Sequence, residues 1–112
     1  MIHSIRMKAG LLVVTPQASF GELIRQSLNN TGSFHIHMAN SKAGATSVVE
    51  KESCSLALLD MELGENAILE IGRSLRSLNP DLDLVILADA GNLSRLRRAL
   101  AALQADVIAV PP

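Results

Sequence analysis

Asp60 closes the run Leu56-Ala57-Leu58-Leu59-Asp60, four aliphatic residues followed by a carboxylate. Such a run reads as a short buried strand, and in open α/β sheets ligands and chemistry sit just outside the carboxyl ends of the strands. Asp60 is therefore placed where an acid can act. An aspartate at a strand end can also simply cap the following loop by accepting from its backbone donors. The first aliphatic run, Leu11-Leu12-Val13-Val14, ends on Thr15-Pro16 and carries no acid.

Other chemistry-bearing residues are few. His35 and His37 project from one side of a strand pattern and could begin a metal site, but no third ligand follows nearby. Exposed histidines on an edge strand are the expectation. Cys54 has no neighbouring histidine and reads as a packing residue. Arg95, Arg97 and Arg98 form a basic cluster opposite a leucine stripe, either a solvated helix face or a contact surface.

Composition bounds the answer. A chain of 112 residues makes one domain with a modest core. Ten basic residues against eleven acidic ones argue against general nucleic-acid affinity. Two Phe with no Trp or Tyr argue against a base-stacking platform for single strands. No helix-turn-helix pattern is present, so direct nucleic-acid binding is not expected. A single cysteine allows no internal disulfide and fits a reducing compartment. No apolar run approaches a membrane span, and no signal-peptide stretch precedes the first strand. A cytoplasmic location is the expectation.

The elements that must position Asp60 alternate. A continuous aliphatic strand over 11–14 is followed by a helix over 17–29 on Phe20, Leu23, Ile24 and Leu28. Residues 34–39 alternate as a strand with one poorer face, at a sheet edge. Ser41 caps a helix to about Glu52, and the strand 56–60 follows. A third helix covers 65–78, closed by Asn79-Pro80. Residues 84–88 form the fourth strand and 89–92 a loop. Leu93, Leu96, Leu100 and Leu103 line a fourth helix, and 107–110 is the fifth strand. Regular βα alternation predicts an α/β fold with a parallel sheet.

With its order and spacing of elements, the chain resembles a response-regulator receiver (CheY-like) domain over roughly residues 10–112. The segments that carry the resemblance are Leu11–Val14, Ala39-Asn40-Ser41-Lys42-Ala43-Gly44, Leu56–Asp60, Val85–Ala90 and Ala105–Pro111. The resemblance implies a flavodoxin-like, doubly wound five-stranded parallel sheet of order 2-1-3-4-5. It also implies a single domain over 1–112 with residues 1–9 as an N-terminal extension. Asp60 falls on the family's phosphoacceptor. The acidic pair that holds Mg²⁺ falls on Thr15 and Pro16, the hydroxyl that grips the phosphoryl group on Asp89, the lysine on Val110, and the switch aromatic on Val107. The loop Met61-Glu62-Leu63-Gly64-Glu65 is short and lacks the usual proline.

These departures have consequences. Phosphoryl transfer rests on positioning and on neutralising the phosphoryl oxygens. Without the acid pair and the lysine, the metal and the cation are lost together. At about 5–6 Å from Asp60, Asp89 would add roughly 3 kcal/mol of repulsion at an effective dielectric near 20. Asp60 is thus expected to be a poor acceptor. The resemblance then implies an atypical receiver in bacterial signal transduction, without enzymatic activity or a required cofactor, working by protein contact. Partners would be a histidine kinase, an output domain or a second copy, and Arg95, Arg97, Arg98 and Val107 would form the contact face.

Three other readings stay open. One is a working phosphorelay receiver phosphorylated on Asp60. Another is a weak divalent-cation site at Asp60 and Asp89, with Glu62 nearby. The third is a small anion- or nucleotide-binding flavodoxin-like protein using the Thr15–Ser19 loop. The pattern also stops after the fifth strand, without the family's closing helix. The fourth and fifth strands are therefore expected to lose cover and to mark an interface, either a homodimer or a cover from another segment.

Overall fold

A computed structural model describes residues 9–30, 32 and 34–109. Five strands, Ala9–Val14 (β1), Phe34–Ala39 (β2), Leu56–Asp60 (β3), Asp83–Ala88 (β4) and Asp106–Ala109 (β5), alternate with four helices. The helices are Ala18–Asn29 (α1), Lys42–Lys51 (α2), Glu65–Leu78 (α3) and Arg97–Leu103 (α4). All strand pairs are parallel and the order is β2-β1-β3-β4-β5. The predicted flavodoxin-like sheet is therefore the observed one, with β2 at an edge as its histidine-bearing pattern requires.

Side-chain alternation sorts the aliphatic strands into two cores. Leu12, Val14, Ala57, Leu59, Leu84 and Ile86 pack with Ala45 of α2, Ile68, Ile71 and Leu75 of α3, and Ala99 and Leu103 of α4. Leu11, Val13, Leu58, Val85 and Leu87 face the other way, against Phe20, Ile24 and Leu28 of α1. Among the described residues α1 is the single helix on that side. Cover is nonetheless better than the sequence predicts: β4 is buried from Leu84 to Ala88, and β5 alone among the described strands exposes large apolar side chains, Val107 and Ile108. Pairing with β3 and the width of α1 suffice for β4, whereas β5 has a neighbour on one edge alone.

Close approaches fix the layers. A Cβ on Gly10 would collide with the Ser53 carbonyl oxygen, because the Gly10 carbonyl accepts from the Ser55 amide at 2.9 Å and draws the chains together. Gly72 of α3 lies under Leu103 of α4, whose Cδ1 would be 2.6 Å from an added Cβ. Arg76 ties the same pair: its Nε donates to the Leu82 carbonyl at 2.8 Å and its Nη1 to the Leu103 carbonyl at 2.6 Å.

The boundaries mostly follow the sequence, to within a residue or two. β1 begins at Ala9, inside the expected extension, and β5 at Asp106. The fourth helix is divided: Ala90–Leu96 is 3₁₀ and only Arg97–Leu103 is α. Gly91, Asn92 and Ser94 are weak α-formers, so the segment winds more tightly. Ser41 caps α2 as expected, accepting from the Gly44 amide at 3.2 Å. Val110 and Pro111 lie outside the described residues.

Candidate functional site

The site lies at the carboxyl ends of β1 and β3, which are neighbours in the sheet. β3 ends on Asp60, and its side chain is 5% exposed. β1 runs out into Thr15, 2% exposed, whose amide donates to the Ala39 carbonyl at 3.0 Å. This pins Thr15 between β2 and β3.

From there its hydroxyl donates to Asp60 Oδ2 at 2.6 Å. That length suits a hydroxyl bonded to a charged carboxylate. The Thr15 hydroxyl in turn accepts from the Gln17 amide at 3.1 Å, so both its capacities are used. Asp60 Oδ1 accepts from the Glu62 amide at 3.0 Å and caps the short 3₁₀ helix Met61–Leu63. Gly64, at φ 89°, then turns the chain into α3 in a conformation that favours glycine.

Both oxygens of Asp60 are thus engaged by the protein itself. Capping, one of the roles open to a strand-end aspartate, is observed directly. The partnership with Thr15 is what sequence reasoning misses, because the family comparison marks Thr15 only as a position without an acid and says nothing of its hydroxyl. A signal did exist, since a polar residue at the end of a buried strand needs a partner, and the order 2-1-3 puts β3 beside it.

The remaining predicted residues scatter. Pro16 is exposed, and so is Glu62, which joins the site through its backbone alone. Asp89 turns into its own loop: Asn92 Nδ2 donates to its Oδ1 at 2.8 Å, while its amide donates to Met61 Sδ at 3.3 Å. Among the described residues no ion pair reaches Asp60. Nor do any three His, Cys, Asp or Glu side chains among them gather as a metal cluster would.

Arg95, Arg97 and Arg98 are exposed, and Arg98 Nη2 lies 3.3 Å from Glu65 Oε1. Arg95 also helps line a cavity of about 550 Å³ with Met61, Glu62 and Glu65; Asp60 is not among its lining residues. Val107, on β5, is 38% exposed. Cys54 is buried, and burial, with Glu52 nearby, pushes its thiol above the ordinary value of 9.0. It is a packing residue, as expected. No described helix is long and apolar enough to cross a membrane.

No protein-family model and no curated protein matches the chain. Solved structures do. CheY4, a chemotaxis protein of Vibrio cholerae, superposes with a TM-score of 0.80 at 16% identity, over 95% of this chain and 89% of that one. A CheY-like receiver domain protein of Methanospirillum hungatei gives 0.78 at 21% identity, over 95% and 83%. An adenylate cyclase of Rhodopirellula baltica gives 0.78 at 18%, over 94% and 78%. At such identities the likeness is one of fold: the chain has the CheY-like receiver fold, with the Thr15 hydroxyl beside Asp60.

Proposed function

We infer that this chain is an atypical receiver domain of bacterial signal transduction that acts by protein–protein contact, without Mg²⁺-dependent phosphorylation and without catalysis of its own. The observation that carries the reading is the Thr15–Asp60 hydrogen bond. To accept a phosphoryl group, a carboxylate must offer an oxygen to the donor and keep a cation beside it. Here Oδ2 is held by Thr15 and Oδ1 by the Glu62 amide, in a residue only 5% exposed. Asp60 then serves as a fixed clasp between β1 and β3, and the domain presents one stable surface to its partner. That partner is a kinase, an output domain or a second copy, met in the cytoplasm.

The test is the intact mass after incubation with acetyl phosphate and Mg²⁺, with Asp60→Asn as control. No added phosphoryl group on the folded protein is the expected result. A gain that disappears in Asp60→Asn would replace this reading with a working phosphorelay receiver.

A further inference from the structure

Met61 follows Asp60 in the chain, and its side chain bridges two loops. Its Sδ accepts from the Asp89 amide at 3.3 Å, which ties the end of β3 to the end of β4. Asp89 leads into the 3₁₀ segment Ala90–Leu96, which carries Arg95. A thioether is a weak acceptor. The contact is partly buried, yet the Asp89 amide has no other acceptor among the described residues. Such an amide gains from an oxygen acceptor placed where the sulfur now stands. Met61 is half-buried and lines the cavity of about 550 Å³, together with Asn92 and Arg95.

We propose that Met61 is a site of reversible oxidation, at which a peroxide converts the thioether to the sulfoxide, whose oxygen takes over the Asp89 amide and resets the loops after β3 and β4.

The step balances in atoms and electrons. A sulfur lone pair attacks one oxygen of hydrogen peroxide. The S–O bond forms as the O–O bond breaks, and the proton of the transferred hydroxyl passes to the departing hydroxide, which leaves as water. Sulfur gives up two electrons and the peroxide takes them. Negative charge grows on the departing oxygen, so the Asn92 side-chain amide and the Arg95 guanidinium in the same cavity favour the step. The reverse step belongs to a thiol-dependent methionine sulfoxide reductase. There two thiols become a disulfide and the oxygen leaves as water.

Oxidation also moves the sulfur. The new oxygen sits about 2.9 Å from the amide nitrogen, so the sulfur behind it withdraws from its 3.3 Å contact, with the cavity beside it to take up the shift. Met38 is the internal comparison. It too is half-buried and lines a cavity, of about 320 Å³. Its sulfur has no hydrogen-bond donor among the described residues, and no charged side chain is in the described lining of its cavity. This inference goes beyond the contact reading, and it does not depend on whether Asp60 can be labelled.

The experiment treats the full chain with hydrogen peroxide and follows each methionine by peptide mass mapping. The sulfoxide should form at Met61 at least about threefold faster than at Met38. Hydrogen exchange read by NMR should then show the Asp89 amide slowed on the order of fivefold, in a protein still folded by circular dichroism. A methionine sulfoxide reductase supplied with dithiothreitol should restore both the mass and the exchange rate. Met61→Leu nearly keeps the volume and should abolish the peroxide response at Asp89. A smaller preference for Met61 overturns the proposal. So does an Asp89 amide that exchanges as fast as before or faster, which would mean chance damage to a half-buried methionine. A response that persists in Met61→Leu, or a sulfoxide that the reductase cannot remove from the folded chain, overturns it as well. Should Met61→Leu not fold, the measurements on the unsubstituted chain decide by themselves.

Discussion

Thr15 and Asp60 form one buried polar unit, and its energetics follow from hydrogen-bond satisfaction. Leaving a buried donor or acceptor without its partner costs about 1–3 kcal/mol. Thr15→Val keeps the shape and removes the donor, so urea denaturation should show a loss of about 1–3 kcal/mol. An unchanged midpoint would mean that the bond contributes nothing. Asp60→Ala should cost more, because it strands both the Thr15 hydroxyl and the Glu62 amide. Cys54 supplies a pH dependence. Its folded thiol titrates above the unfolded one, so the unfolded chain loses its proton first. Stability is then full below about pH 9 and falls as pH rises through the folded value. Cys54→Ala should flatten that alkaline fall in a pH series of melts. At this scale the sequence revealed Asp60 through the aliphatic run before it. It concealed Thr15, because the two partners are 45 positions apart and only the sheet order joins them.

Helices and strands meet through specific small residues. Gly72→Ala pushes a methyl into Leu103, a side chain that can shift, and should cost about 1–3 kcal/mol. Gly10→Ala drives a methyl into the Ser53 backbone carbonyl, which cannot yield without moving the loop before β3. Thermal melts should therefore rank Gly10→Ala well below Gly72→Ala, and a reversed order would contradict this packing account. The strands were legible because each is a short aliphatic run between turn residues. The division of the fourth helix was not. Leu93 and Leu96 are three apart, and a 3₁₀ turn places such a pair on one side as well as an α turn does. Neither close glycine contact was legible either, since each depends on a neighbour far away in sequence.

The whole molecule rests on its two aliphatic cores more than on charge. Each of the three described ion pairs has at least one substantially exposed partner, and such pairs contribute roughly 0–1 kcal/mol. Raising the salt concentration from 0.05 to about 0.5 M should accordingly shift the urea-derived stability by less than about 1 kcal/mol. Fold class was readable from the alternation of elements, and the sheet order and the loss of cover at β5 from the family resemblance, whereas the sorting of the aliphatic side chains into two cores emerged only once the strands were in register. The sheet order also bears on synthesis. β1 precedes the other strands in the chain, yet it lies between β2 and β3. Its all-aliphatic core run cannot be flanked on both edges until β3 has emerged from the ribosome, and Asp60 follows Thr15 by 45 positions. At translation speeds of 5–20 residues per second that delay is about 2–9 s. During those seconds Leu11–Val14 can pair with β2 alone, and its other edge stays open on the nascent chain.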